Sequence, residues 1–252
     1  MGEKCMKCII LKLKLSNNNL CDSIVKPDVN SYNAVIEAWA FHRSRQQNVV
    51  RAERWFHRIS EPKGNSPSKY RSSAIKDINL STKTDSELSL TPNLESYNLL
   101  LAALSRGLGN SASMRESHAS RASALLHEMK SSSIQPNTDS YNYVMQSWVR
   151  CGRDKFVAEK VMQILREMEA SKIPANTISY TIAMNSWSAS AELKARSQRR
   201  LAKNVRESKE STYASDIERV EKILHYMHDL HDAGIPDVCP DNHAYNTLIA
   251  GT

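Results

Sequence analysis

Apolar residues recur along this chain in short bursts of helical period. Val35, Ile36 and Trp39 form one, Leu100, Leu101 and Leu104 a second, Val144, Met145 and Trp148 a third, and Ala183, Met184 and Trp187 a fourth. The spacing i, i+1, i+4 puts each set on one face of a helix. A second amphipathic segment follows each burst. Ala52, Trp55, Phe56 and Ile59 share the register of Ala122, Leu125, Leu126 and Met129, of Val161, Ile164, Leu165 and Met168, and of Val220, Ile223, Leu224 and Met227. Neither helix of such a pair can cover its own apolar stripe, so the pattern predicts helix–turn–helix units that bury those stripes by stacking.

Each unit opens on the same polar phrase. Pro27-Asp28-Val29-Asn30-Ser31-Tyr32-Asn33, Pro92-Asn93-Leu94-Glu95-Ser96-Tyr97-Asn98 and Pro136-Asn137-Thr138-Asp139-Ser140-Tyr141-Asn142 are followed by Ala175-Asn176-Thr177-Ile178-Ser179-Tyr180-Thr181 and Pro240-Asp241-Asn242-His243-Ala244-Tyr245-Asn246. Pro ends the preceding helix, and an Asp or Asn side chain caps the next one. The tyrosines of these phrases lie 65, 44, 39 and 65 residues apart, whereas helix-pair repeats run to about 34 residues. Insertions account for the excess. One is expected over 60–91, where eight of 32 residues are Ser beside Pro62, Gly64 and Pro67; lacking an apolar period, it reads as a disordered loop. The other falls between the helices of the fourth unit, about 190–212, where Lys194, Arg196, Arg199, Arg200, Lys203, Arg206 and Lys209 outweigh Glu192, Glu207 and Glu210.

Composition adds exclusions. The 252 residues carry a net charge of +7 with only 7 Gly and 8 Pro, too few turn residues for a sandwich or barrel. No apolar run approaches the roughly 20 residues of a membrane span, so no membrane role is expected. Five cysteines, an odd number, read as reduced thiols, and Cys5 and Cys8 lack the second pair a zinc site requires. No Gly-rich phosphate loop, HExxH or zinc-deaminase framework occurs, so the sequence predicts no enzyme, cofactor or metal.

The Pro-Asp/Asn ending, the Ser-Tyr-Asn opening, the paired helices and the Met closing the second helix resemble the pentatricopeptide repeat family over most of residues 27–251. The tetratricopeptide pattern fits less well, because Trp39, Trp148 and Trp187 follow the Tyr by seven residues. The resemblance implies an all-α, right-handed α-solenoid with repeats of about 29–93, 94–137, 138–176 and 177–241. A partial unit at 242–252 and a leading half-repeat at 1–28, its second helix over 3–15, would complete the excerpt of a longer array.

The resemblance also implies single-stranded RNA binding at one base per repeat, read by the fifth residue of the first helix together with the last residue of the same repeat. The pairs are Asn33 with Asn93, Asn98 with Asn137, Asn142 with Asn176, and Thr181 with Asp241; Asn246 opens a fifth whose partner lies beyond Thr252. An amide offers a donor and an acceptor to a pyrimidine edge, and a hydroxyl with a carboxylate suits the N–H donors of guanine. The implied target is pyrimidine-rich RNA followed by G, with cytidine the favoured pyrimidine. Arg106 and Arg150 occupy the position where the family often carries a phosphate-contacting cation, while Phe41 and Ala189 depart from it. The second residue is usually aliphatic and clamps the base; Ile178 fits, whereas Asn30, Glu95, Asp139 and His243 do not.

Structural readings stand beside these. The repeated Tyr and Trp residues are expected in the core. The fifth-position Asn residues are base readers or simply polar residues at a helix start. The basic stretch 194–209 grips phosphate or is a solvated helix. His225, His228, Asp229 and Asp232 share a helical face that reads as solvated. The functional expectation is RNA binding in support of processing, stability or translation in a mitochondrion or plastid. The alternatives are a protein-binding scaffold and the repeat portion of an RNA-processing nuclease.

Overall fold

A computed structural model describes residues 28–41, 48–60, 90–107, 111–202 and 214–251. The half-repeat at 1–27, the Cys5/Cys8 pair and nearly all of the Ser-rich insertion lie outside the described residues, as do residues 203–213 of the basic one. Every regular element among the described residues is helical. In chain order these are α1 (Val29–Ala40), α2 (Asn48–Ser60), α3 (Leu94–Arg106), α4 (Ala112–Ser131), α5 (Thr138–Cys151), α6 (Lys155–Ala170), α7 (Thr177–Ala202), α8 (Ala214–Asp232) and α9 (Asn242–Gly251). A single 3₁₀ turn, Pro236–Val238, precedes α9.

The chain divides into two compact units, 1–100 and 101–252. In the first, α1 packs on α2. Val35, Ile36 and Ala40 meet Val49, Ala52, Phe56 and Ile59 in a buried seam. The ring of Tyr97, at the start of α3, lies edge-on to Phe56 with centroids 4.9 Å apart. In the second unit α4, α5, α6, α7 and α8 each pack on the next, while α5 also contacts α7 and α7 contacts α9. First helices therefore stack on first helices, which covers the apolar stripes that single helix pairs leave open. Burying a Leu, Val or Met side chain fully is worth about 1.5–3 kcal/mol, and Leu125, Met129, Val144, Met145, Val161 and Met168 are all fully enclosed.

The core expectation for the aromatics holds for Tyr97, Tyr141, Tyr180, Trp148 and Trp187, all buried, whereas Tyr245 is exposed. The Trp side chains also receive cations from the second helix. Arg51, Lys160 and Arg219 occupy one register position and lie 4.3, 5.9 and 4.2 Å from the rings of Trp39, Trp148 and Trp187.

The turns recur too. At the ends of α4, α6 and α8 the N–H groups of Ile134, Ile173 and Ile235 reach back to the carbonyls of Met129, Met168 and Leu230. Ser133, Lys172 and Gly234 hold positive φ at the preceding position, the left-handed close of a Schellman motif. The basic insertion is helical as far as it is described: α7 continues unbroken to Ala202 and is 26 residues long, against 14 for α5. No described helix is long and apolar enough to cross a membrane.

Candidate functional site

The polar phrase that opens each unit builds a helix N-terminus first. The side chains of Asp28, Asn93, Asn137, Asn176 and Asp241 accept from the backbone N–H three residues on, at 2.8–3.1 Å. Ser96, Ser140 and Ser179 return the bond, their hydroxyls accepting from the N–H of Asn93, Asn137 and Asn176. This is a capping box with Ser in the place usually taken by Glu. At Asp28 the two bonds from Ser31 hold the carboxyl below the usual carboxylate range.

The same atoms then reach across to the preceding unit. Asn33 Nδ2 donates to Asn93 Oδ1 at 3.2 Å, and its Oδ1 accepts from the Ser96 hydroxyl at 2.6 Å. Asn142 repeats the geometry with Asn176 Oδ1 at 3.3 Å and the Ser179 hydroxyl at 2.7 Å. Two of the pairs expected from the sequence are thus brought together side chain to side chain. Asn33 and Asn142 are nevertheless only 2% and 4% exposed. Each pair joins this buried amide to an N-cap residue that is exposed (Asn93) or half-buried (Asn176) at the seam between repeats.

Thr181 behaves differently. It is buried, and its hydroxyl turns back to the Thr177 carbonyl at 2.7 Å instead of meeting Asp241, which is exposed. The reason is visible one unit on: Ala244 stands where Ser96 and Ser179 stand, so nothing there offers a hydroxyl to the fifth residue. Asn goes with a following Ser, and Thr, which satisfies itself on its own helix, goes with a following Ala. Asn98 and Asn137 are half-buried, and Asn246 is exposed. Arg106 and Arg150 are both exposed near the ends of α3 and α5.

Two sets of participants were not singled out from the sequence, and a third, Glu95, stood out only as a departure from an aliphatic position. Ser96 and Ser179 are caps and inter-repeat ties at once, a double duty signalled only by the recurrence of Ser before Tyr at Ser31, Ser96, Ser140 and Ser179. Thr138 and Thr177, at the first helical position, donate to loop carbonyls of the following unit: Thr138 to Pro174 at 2.9 Å, Thr177 to Asp237 and Cys239 at 3.0 and 2.9 Å. Glu95 accepts from Asn33 Nδ2 at 2.9 Å, which no periodicity announces.

Around this seam the titratable groups are structural. Burial, with Glu169 beside it, pushes the Tyr180 hydroxyl well above its ordinary value. Burial, then the carboxylates of Glu116 and Asp154, pushes the Cys151 thiol up and away from thiolate chemistry. Among the described residues no cluster of His, Cys, Asp or Glu has the arrangement of a metal site. His225 and His228 are engaged with the Glu221 carbonyl and the Tyr245 hydroxyl.

Residues 111–150, which span α4 and nearly all of α5, match the model of the pentatricopeptide repeat domain. No curated protein matches the chain. Solved structures similar to it include the pentatricopeptide repeat protein PPR10 in complex with an 18-nucleotide psaJ RNA element. That likeness has a TM-score of 0.47 and 17% identity over 99% of this chain and 29% of that one. The crystal structure of PPR10 from maize has a TM-score of 0.36 at 17% identity, over 96% of this chain and 33% of that one. The chain therefore spans a third or less of the length of these structures.

Proposed function

We propose that this chain, a pentatricopeptide repeat protein, binds single-stranded RNA through the seam between successive repeats. Each pair of fifth residue and N-cap residue meets one base. The observation that carries the reading is the recurrent amide pair, Asn33 with Asn93 and Asn142 with Asn176, held in one register by a Ser of the next helix. A base edge enters by exchanging the long amide–amide bond for bonds to itself, an exchange whose net cost is small because hydrogen bonds are replaced, not lost. By the resemblance, the remaining pairs, Asn98 with Asn137 and Thr181 with Asp241, are assigned to the second and fourth bases, which gives a preference for three pyrimidines followed by G, with Asn246 opening a further unit. Arg106 and Arg150, both exposed, are the proposed phosphate contacts, and the net charge of +7 favours a polyanion. The protein acts by holding RNA, without catalysis, cofactor or metal, in a mitochondrion or plastid, where it supports processing, stability or translation of a transcript.

Fluorescence anisotropy with labelled CCCG and AAAA oligonucleotides tests this directly. The expected result is tighter binding of CCCG, with log K falling linearly against log salt concentration. Equal affinity for the two sequences removes the readout. A second reading, a protein-binding helical scaffold, is favoured by the exposed carboxylates of Glu95 and Asp139 beside the seam. It predicts no retention of either oligonucleotide.

A further inference from the structure

The two amide pairs are built alike but are not equally available. Asn33 has three polar valences in use: one Nδ2 proton goes to Asn93 Oδ1, the other to Glu95 Oε2 at 2.9 Å, and Oδ1 accepts from Ser96. A primary amide has two donor protons, so both are spent. At the register position of Glu95 the other pair has Ile178. Ile178 accepts nothing and is 54% exposed. Asn142 there spends one Nδ2 proton on Asn176, and no acceptor for its second proton occurs among the described residues.

We propose that Glu95 silences the Asn33/Asn93 reader, so that of the three pyrimidine positions proposed above the first is occupied without being discriminated. Its carboxylate takes the amide proton that a pyrimidine carbonyl or ring nitrogen would otherwise accept. The bond is charge-assisted, hence about twice as strong as the neutral bond a base offers in exchange. A base opposite Asn33 is held without being identified, while the base opposite Asn142 is read. Glu95 is thus a residue that sets where along the RNA discrimination begins. This rests on the RNA-binding reading above, and it concerns which reader works, not whether RNA is bound.

The test uses the full chain and labelled RNA in which the bases opposite Asn33 and opposite Asn142 are varied in turn through all four identities. Wild type is expected to give a flat profile at the first position and a pyrimidine preference at the third. E95I is expected to tighten binding about tenfold more when the first base is C than when it is A or G, the size of one charge-assisted bond released, on top of any base-independent gain from losing a negative charge. I178E, the reciprocal change, is expected to flatten the third position. E95Q keeps an acceptor oxygen but removes the charge, so it should retain most of the flat first-position profile. Circular dichroism melts establish that each variant is folded. A wild type that discriminates equally at both positions overturns the proposal, as does a folded E95I with a flat profile, or E95Q gaining as much as E95I. Failure of wild type to bind any of these RNAs is a separate outcome: it removes the RNA reading itself, and this inference with it.

Discussion

The repeats at 138–176 and 177–241 share a plan and differ in length, and the difference shows what a repeat of this kind requires. In the shorter one, α5 ends at Cys151 because Gly152 follows and Asp154 caps the next helix. In the longer one no such stop occurs. Ala189, Ala191, Glu192, Leu193, Lys194, Ala195 and Arg196 are strong helix formers, and α7 runs on to Ala202. Those added turns carry little apolar surface, so they are tied to α8 by polar groups instead. Asp216, 1% exposed, accepts from Lys194 Nζ at 2.6 Å and from the Ser190 hydroxyl at 2.9 Å. In this repeat the extension beyond the apolar stripe is held by a buried polar tie.

The largest effect that can sharpen this contrast lies in the shared core. Trp187 is 1% exposed under Arg219, whereas Trp148 is 6% exposed and keeps its ring N–H on the Ser123 hydroxyl at 2.9 Å. Truncating a buried Trp to Ala costs about 3–5 kcal/mol. W187A should fall at the upper end of that range and W148A at the lower, measured by urea denaturation. Equal losses would mean that the longer repeat is no more dependent on its core than the shorter.

Next in size is the tie itself. K194M leaves the buried Asp216 carboxylate with only Ser190, and D216L strands Lys194 beside an apolar neighbour. Breaking a buried pair from one side costs about 3–5 kcal/mol, and replacing both partners by apolar groups costs far less. Lys194 keeps 28% of its side chain exposed, so about 2–3 kcal/mol is expected for each single change. The double variant K194M/D216L should be more stable than either. A double variant as unstable as the sum of the two would show that the residues act independently.

Much of this architecture was legible in the sequence. The apolar bursts located α1 to α8 because helical period and burial are one signal, and the Pro-Asn phrases located the N-termini because caps are local chemistry. The extension of α7 was legible only as basic residues between two helices; charge says nothing about where a helix stops, whereas the missing Gly or Pro after Ser188 does. At the seam, sequence gave the identity of the amide partners but not their burial. That depends on how closely Ser96 and Ser179 draw the following helix in, a matter of packing distance that no one-dimensional pattern carries. Glu95 was legible as a departure from an aliphatic position, not as a partner of Asn33.

A smaller contrast concerns the first helical residue. Thr138 donates to one loop carbonyl, Pro174, while the hydroxyl of Thr177 lies between two, Asp237 and Cys239, on either side of the buried Val238. The 3₁₀ turn at Pro236–Val238 adds backbone here that the shorter repeat lacks, and Thr177 supplies its anchor. T177V should cost about 1–1.5 kcal/mol and T138V about 0.5–1 kcal/mol, the worth of one net hydrogen bond. Amide hydrogen exchange at Val238 should quicken in T177V alone.

The smallest effect compares the two turns that close these repeats. Lys172 ends α6 at φ 58°, and Gly234 ends α8 at φ 90°. A residue with a Cβ in the left-handed region costs about 1–2 kcal/mol, while introducing Gly frees the unfolded chain by about 0.4–1 kcal/mol. K172G should therefore stabilise the fold by about 0.5 kcal/mol, the strain removed less the entropy gained by the unfolded state. G234A works in the opposite direction. A Cβ at position 234 would meet nothing within 4 Å, so its net loss, about 0.5 kcal/mol, is backbone strain less the entropy that the unfolded chain gives up, with no steric clash added. Opposite signs for the two variants, read as shifts in the urea midpoint at unchanged slope, would establish that both repeats close with the same turn and differ only in the residue that bears its strain.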